Sequence, residues 1–186
     1  MIDWTNDSID FATFSRKKRP MRVIGLAGWS GAGKTTLLRR LIPILVGQGL
    51  RVSTVKHAHH GFDVDQPGKD SWEHRQAGAQ EVLVGSASRW ALMHELRGDA
   101  EPHLADLLER LSPVDLVLVE GFKRGGHPKI EVFRAANGKP LLHPDDSSVV
   151  AVASDVPMPG LTLPWLHLDD IEAIAIEIQE QAVPVG

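Results

Sequence analysis

Apolar residues along the chain fall into short continuous runs and into longer runs with helical spacing. The run Met21–Ala27 is apolar nearly throughout, which is typical of a strand buried on both faces. The segment Lys34–Val46 has the leucine and isoleucine spacing of a buried helix, and Pro43 within it predicts a kink or an early end. A second strand is predicted at Leu50–Val55. Strand, helix and strand in this order form a right-handed βαβ unit with two parallel strands.

The same alternation continues to the end of the chain. The pattern predicts helices at Asp70–Ala77, His103–Leu111 and Asp169–Gln181, and strands at Glu81–Val84, Trp90–Met93, Val114–Val119, Ile130–Arg134 and Val149–Ala153. Alternating elements favour an α/β fold, in which a parallel or mixed sheet carries helices on both faces. The sequence shows no internal repeat, and residues 21–186 are predicted to form a single domain.

Composition and charge exclude several classes of protein. With 186 residues, of which 42% are hydrophobic and 24% charged, the chain resembles an ordinary globular domain. A net charge of −4 provides no basic field for nucleic acid or an anionic membrane, and no apolar stretch reaches the roughly 18 residues of a membrane span. We therefore expect neither as a partner. The lack of cysteine rules out disulfides and thiolate chemistry and favours a cytoplasmic location.

The first twenty residues do not share the pattern of the domain. Three aspartates precede the basic run Arg16–Arg19, and the first twenty residues contain no apolar core after that run. This order is wrong for a secretory signal peptide. We predict a flexible arm over residues 1–20, and contact between its basic run and nucleic acid is the less favoured alternative.

A glycine-rich stretch between the first strand and the first helix matches G-x-x-x-x-G-K-[ST] at every fixed position. Glycines let the backbone turn tightly and approach a phosphate chain, and the next helix directs its N-terminal dipole at the same phosphates. Lys34 is predicted to reach the β- and γ-phosphates, and the Thr35 hydroxyl is predicted to ligate Mg²⁺. A turn that only joins strand to helix is the disfavoured alternative. The predicted binding residues are Gly28, Ser30, Gly31, Ala32, Gly33, Lys34, Thr35 and Thr36.

A nucleoside triphosphate site of this kind needs an acidic residue near Mg²⁺ or the attacking water. Glu120 follows the apolar run Val114–Val119 and lies where the end of a neighbouring strand is expected. Asp115 is a poorer candidate because it lies about 15 Å away, at the other end of that strand. Glu120 is therefore predicted, with Lys34, as a catalytic residue and also as a magnesium ligand. An indirect or substrate-facing role for this carboxylate is the alternative.

A histidine-rich polar segment follows the second strand and emerges at the same sheet edge as the P-loop. Three histidines and two aspartates offer ligands for a transition metal, namely His57, His59, His60, Asp63 and Asp65. Their spacings of two and one do not match the usual metal-binding pairs, and no cysteine assists. We predict instead a switch-like loop in which Asp63 contacts Mg²⁺ and the histidines contact phosphate or a second ligand. A solvated polar loop is the alternative.

Two further positions beyond strands are candidates for ligand contacts. Lys123 begins a basic, glycine-rich segment that could close over an anionic substrate, and an ordinary solvated loop is an equally open reading. Asp155 ends the strand Val149–Ala153, where a carboxylate can accept from the N1–H and the N2 amine of guanine; adenine has no such pair of donors. The competing role for Asp155, a helix N-cap, is disfavoured by Pro157 and Pro159.

Taken together, these segments resemble the MobB family of molybdopterin-guanine dinucleotide biosynthesis adapter proteins. The P-loop alone is shared by many NTPases, whereas the histidine-rich segment, the D-x-D-x-P-G-K-D-S run and the downstream E-G-F-K are much more specific. The resemblance extends from about Met21 to about Leu168. The segments that carry it are Gly28–Thr36, Val55–His60, Asp63–Ser71, His74–Ala79, Val119–Lys123, Pro128–Val132 and Ala153–Asp155.

The resemblance implies a P-loop NTPase-like three-layer α/β/α fold and a homodimer that binds GTP with Mg²⁺ and hydrolyses it feebly. The protein would assist a molybdopterin guanylyltransferase in attaching GMP to molybdopterin, by delivering GTP or by holding the pterin intermediate. Carried over by position, the P-loop residues hold the phosphates and Mg²⁺, and Asp155 reads guanine. The His57–His60 loop and Lys123 face the second ligand or the partner enzyme.

A small-molecule kinase that transfers the γ-phosphoryl group is the alternative from a different class. A kinase usually needs a positioned base and an arginine-bearing lid over the phosphates. Arg124 is the only arginine in an obviously mobile glycine-rich segment. The sequence therefore favours the adapter.

Overall fold

The computed structural model describes residues 20–58, 61–123 and 125–185. The predicted arm, apart from Pro20, and the predicted contact residues His59 and His60 lie outside these ranges. Within these ranges no helix is long and apolar enough to cross a membrane.

Strands and helices alternate along the described residues. The strands are β1 (Arg22–Ala27), β2 (Val52–Lys56), β3 (Glu81–Gly85), β4 (Trp90–His94), β5 (Leu116–Glu120), β6 (Lys129–Phe133), β7 (Val149–Ser154), β8 (Trp165–His167) and β9 (Val183–Pro184). The helices are α1 (Lys34–Gly47), α2 (Asp70–Gln76), α3 (Leu104–Glu109) and α4 (Ile171–Gln181), and a 3₁₀ turn covers Ala135–Asn137.

The large sheet has the order β2-β5-β1-β6-β7-β8, and every pair of neighbours in this order is parallel. The short β9 pairs antiparallel with the start of β1 at Arg22 and Val23, next to the place where β6 begins its pairing at Gly25. β3 and β4 form a separate antiparallel hairpin. The carboxyl ends of the parallel strands therefore meet at one edge of the large sheet, which is where ligands bind in open α/β folds.

Helices cover both faces of the large sheet. α1 and α4 pack on one face, where Leu41 and Ile174 are fully buried. α3 packs on the other face through Leu108, which belongs to a second buried cluster with Val117. The central strand β1 contributes alternate residues to both clusters, as a strand buried on both faces should. The predicted α/β fold, with three layers and a mostly parallel sheet, is confirmed.

Three details of the elements differ from the sequence prediction. α1 continues to Gly47, so of the two predicted effects of Pro43, a kink or an early end, the early end does not occur. α4 begins at Ile171 with Asp170 as its N-cap, where the side chain accepts from the Ala173 N–H at 3.0 Å. β8 and β9 were not predicted, because strands of two or three residues exist only through their pairing partners and leave no local periodicity to detect.

Candidate functional site

The glycine-rich loop between β1 and α1 has a backbone that other residues would strain. Gly28, Gly31 and Gly33 all have positive φ, at 142°, 81° and 94°. A Cβ on Gly28 would also lie 2.5 Å from the backbone oxygen of Val132 on β6. Because that oxygen belongs to the backbone, no side-chain movement could relieve the contact. The loop is therefore a tight main-chain turn packed directly on β6.

Lys34 lies over this turn at the start of α1. Its ammonium group donates to the carbonyl oxygens of Gly28 at 2.8 Å and Trp29 at 3.0 Å. Burial lowers the pKa of Lys34, while the attraction of Glu120 opposes that shift and the nearby Lys123 adds to it. An anion bound in the turn would stabilise the charged form of Lys34, because it supplies the full negative charge that the carbonyl oxygens lack.

Thr35 and Glu120 meet at the mouth of the loop. β1 and β5 are parallel neighbours with Leu26 paired to Glu120, so the carboxylate comes level with the end of β1. The Thr35 hydroxyl donates to Glu120 Oε1 at 2.9 Å. Because the hydroxyl is the donor in this hydrogen bond, the lone pairs of Thr35 Oγ1 stay available for a metal ion.

These oxygen atoms fit Mg²⁺ rather than a transition metal. Among the residues that the structure describes, no group of three or more His, Asp or Glu side chains could hold a metal ion by itself. A hydroxyl and one carboxylate are hard ligands, and Mg²⁺ typically takes one or two such protein ligands and completes its shell with phosphate oxygens and water. Thr35 and Glu120 are the residues that would hold it.

The β6–β7 connection holds the loop from outside. The indole Nε1 of Trp29 donates to the carbonyl oxygen of Pro140 at 2.8 Å, and the Asn137 amide donates to the backbone oxygen of Ser30 at 2.9 Å. The ammonium groups of Lys123 and Lys139 lie 5.3 Å and 6.0 Å from the Trp29 ring centroid. Sequence reasoning did not find these contacts, although the indole inside the phosphate motif was a signal for them.

The other loop positions predicted from the motif differ in exposure. Ala32 is buried and its N–H donates to the Trp29 carbonyl oxygen at 3.2 Å, so it closes the turn. Thr36 is exposed in the first turn of α1. Both lie beside the N–H groups at the start of the 14-residue helix, where a phosphate would be held.

Asp155 lies just beyond β7, at the same sheet edge. Its Oδ1 accepts from the Ala135 N–H at 3.0 Å, and its Oδ2 lies 3.7 Å from Nη1 of Arg134. Arg134 in turn reaches the loop, since a Cβ on Gly33 would lie 3.1 Å from its Nε. No helix begins at Asp155, so the competing N-cap role is not observed. Arg134 was missed as a site residue, although a cation at the end of a strand beside β1 is a recognisable signal.

A strained turn follows β5. Gly121 has φ 98° and Phe122 has φ 47°, a value that is rare for a bulky residue. The turn brings the Phe122 ring to 4.9 Å from the His57 ring, and His57 Nε2 lies 2.5 Å from Glu101 Oε1. The Phe122 ring thus contacts His57, and the next residue, Lys123, lies over the Trp29 ring of the glycine loop.

Asp63 pairs with an arginine on α2. Both of its carboxylate oxygens accept from Arg75, at 2.8 Å and 2.9 Å, and its Oδ1 also accepts from the Asp65 N–H. The hydrogen bond from Arg75 lowers the pKa of Asp63. This two-point pairing ties Asp63 to α2. Its contact with Mg²⁺ stays a prediction.

The parallel sheet, the glycine turn before α1 and the Thr35–Glu120 pair define a P-loop NTPase-like α/β protein. The model of the family described as "MobB: Molybdopterin guanine dinucleotide synthesis protein B" matches residues 23–155. The chain belongs to this family.

Relatives with this description are similar over most of their length. The molybdopterin-guanine dinucleotide biosynthesis adapter protein of Escherichia coli K12 is 47% identical over 161 residues, which cover 85% of this chain and 91% of the relative. The protein of the same name from Haemophilus influenzae is 44% identical over 137 residues, 73% of this chain and 76% of the relative.

Solved structures of the family share the fold. A crystal structure titled molybdopterin-guanine biosynthesis protein B (mobB) superposes with a TM-score of 0.68 at 32% identity, over 85% of this chain and 98% of that one. The MobB homologue from Bacillus stearothermophilus superposes with a TM-score of 0.62 at 26% identity, over the same shares.

Proposed function

We propose that this chain binds GTP with Mg²⁺ and is the adapter that assists a guanylyltransferase in attaching GMP to molybdopterin. The adapter role in molybdopterin guanine dinucleotide biosynthesis is that of its family. The nucleotide part rests on one observation: Lys34 covers a main-chain turn that only glycines can form, and Thr35 is hydrogen-bonded to Glu120 at its mouth.

In the proposed complex the phosphate chain enters the turn and replaces the acceptors that Lys34 now uses. The N–H groups of Gly31, Gly33 and the first turn of α1 donate to phosphate oxygens, and Lys34 donates to the β- and γ-phosphates. Thr35 Oγ1 ligates Mg²⁺, and Glu120 contacts the ion directly or through a water molecule.

Asp155 is proposed to read the guanine base. A carboxylate has lone pairs for about four hydrogen bonds, so it can keep the Ala135 N–H and still accept from guanine N1–H and N2. Arg134, which lies between Asp155 and the loop, would then be close to the bound nucleotide. We propose a cytoplasmic location for this chemistry.

Calorimetric titration of GTP, ATP and GDP, each with and without Mg²⁺, tests the proposal. GTP is expected to bind more tightly than ATP and to lose affinity when Mg²⁺ is withdrawn, because Thr35 and Glu120 would hold the ion and its charge would offset that of the phosphates. Turnover of GTP should be slow. Equal binding of ATP, or absence of GTP binding, would contradict the nucleotide assignment, and fast transfer of phosphate to an added acceptor would favour the kinase instead.

The protein is proposed to be a homodimer that pairs through one face of the β3–β4 hairpin. Leu83 and Leu92 are directly opposite each other in the hairpin, and Trp90 follows on the same face. Leu83 is 66% and Trp90 65% exposed, which is unusual for large apolar side chains on a small sheet without a core beneath this face. A second copy of the chain would cover this face.

Leu83→Glu is expected to shift the protein towards the monomer by about tenfold or more, because a carboxylate would be buried in an apolar contact. Sedimentation or light scattering over a concentration series measures the shift. Ile176→Glu is the matched control, since Ile176 is an exposed apolar residue on α4, away from the hairpin. A monomeric parent protein, or equal effects of the two substitutions, would refute this interface.

A further inference from the structure

A second concave site lies beside the glycine loop, on the α3 side of the sheet. It is a groove of about 1120 Å³ between the strained turn after β5 and the start of α3. Its polar and aromatic wall residues are His57, Glu101, His103, Glu109, Phe122, Lys123 and His127. None of residues 28–36 lines it, so the groove is separate from the nucleotide loop within the described part of the chain.

The strained turn determines one wall of the groove. Gly121 is packed against His57, where a Cβ would lie 2.6 Å from the histidine Cβ, and only this close approach sets the Phe122 ring beside the imidazole. A bulky residue held at positive φ marks strain that the surrounding structure maintains, and such strain is common at ligand sites. The two rings offer a surface for a flat aromatic ligand.

The edge of this aromatic surface carries a hydrogen-bond acceptor, Glu101. Glu101 Oε1 is engaged with His57 Nε2, whereas its Oε2 accepts no hydrogen bond from the residues that the structure describes. The Glu101 side chain is 71% exposed, so a ligand can reach it. A carboxylate held at the edge of an aromatic surface suits a heterocycle that presents adjacent N–H and amino donors.

The end of the groove nearest the nucleotide loop is positively charged. Lys123 lines the groove and also lies over the Trp29 ring of the loop, and its charge lowers the pKa of Lys34. Lys56 acts on Lys34 in the same direction. An anionic group on the ligand would therefore be held at this end, next to the phosphates of a bound nucleotide.

The base of the groove adds no positive charge of its own. His127 is wedged between Gly25 and Gly125, and a Cβ on either glycine would come within 2.7 Å of a ring nitrogen. Burial and the nearby Lys129 lower the pKa of His127 to about 4, so its imidazole is neutral at pH 7. Among the described residues that line the groove, Lys123 is the lysine, so it is the group placed to hold an anion.

We propose that this groove binds a planar heterocycle carrying a phosphate group, of the pterin phosphate class. The ring stacks on Phe122 and His57, its adjacent N–H and amino donors meet Glu101, and its phosphate meets Lys123. The inference rests on the proposed function, because it assigns a place to the pterin on which that adapter acts. It puts the pterin phosphate and the nucleotide phosphates on opposite sides of Lys123.

Calorimetric titration with 6-hydroxymethylpterin phosphate tests the proposal, with 6-hydroxymethylpterin and inorganic phosphate as separate probes. Lys123→Ala is expected to weaken the pterin phosphate about tenfold or more and to leave the unphosphorylated pterin nearly unaffected. Lys139→Ala is the matched control, since Lys139 also faces the Trp29 ring but does not line the groove. Glu101→Gln should weaken both pterins, whereas Glu73→Gln on α2 should not.

The outcomes separate this inference from the proposed function. Binding of the probe to the parent protein and to Lys34→Ala, together with GTP binding by the parent protein, supports both. GTP binding without probe binding, equal effects of Lys123→Ala and Lys139→Ala, or competition between the probe and GTP would overturn the groove and leave the nucleotide site in place. Loss of GTP binding by the parent protein would overturn the proposed function itself.

Discussion

Replacing Lys34 with alanine is expected to weaken GTP binding by at least about a hundredfold while the domain stays folded. The ammonium group would lose charge-assisted hydrogen bonds to two phosphate oxygens, which together contribute about 3 kcal/mol or more. Among the residues that the structure describes, the Lys34 ammonium donates only to the carbonyl oxygens of Gly28 and Trp29. Their loss should cost about 1 kcal/mol of the free energy of unfolding. Calorimetry with saturating Mg²⁺ measures the first effect, and denaturant unfolding measures the second.

Lys139→Ala is the control for this result. It removes an equal charge near the same loop, because the Lys139 ammonium lies 6.0 Å from the Trp29 ring centroid, but Lys139 has no place in the phosphate motif. Its GTP affinity should stay within about threefold of the parent value, as expected for an exposed charge. If Lys34→Ala binds GTP as the parent does, the glycine loop is not the nucleotide site.

Asp155→Asn is expected to reduce the preference for GTP over ATP by about tenfold or more. In the variant, an NH₂ group replaces one of the two carboxylate oxygens and faces the N–H groups of guanine. One hydrogen bond to guanine is lost, and a guanine N–H is left without an acceptor. Xanthosine triphosphate should gain affinity, since xanthine presents one N–H and one carbonyl oxygen to the same edge. Competition titrations of the three nucleotides against the variant measure this change.

The substitution should leave the fold intact, because the carbonyl oxygen of the new amide can still accept from the Ala135 N–H. Asp145→Asn is the control, as it makes the same change in charge on an exposed residue of the β6–β7 connection. Both variants should unfold at nearly the same temperature as the parent. A variant at position 155 that remains as selective as the parent would place guanine recognition elsewhere.

The sequence predicted those parts of the site that follow from local pattern and from parallel topology. The glycine loop is contiguous, so its motif could be recognised directly. Glu120 could be placed beside Thr35 because carboxyl ends of parallel strands share an edge, and the 2.9 Å hydrogen bond between them agrees with that expectation. The buried strand β1 and the helix α1 were found because their apolar periodicity spans a whole element.

The remaining features depend on contacts between distant segments, which local pattern does not encode. The pairing of both Asp63 carboxylate oxygens with Arg75 on the next helix, for example, has no signal in the sequence pattern. The Arg134–Asp155 pair joins two connections that meet only after β6 and β7 have paired. β3 and β4 pair with each other and not with the large sheet. The apolar pattern within each strand predicts the strand but does not reveal which strand it pairs with.

The position of Trp29 gives the protein an intrinsic optical reporter. Indole emission responds to nearby charge and to the loss of a hydrogen bond, and this ring lies in the loop, bonded to Pro140 and close to two ammonium groups. The other tryptophans that the structure describes lie on α2, β4 and β8. Fluorescence of the unlabelled protein should therefore follow the arrival of phosphates in real time.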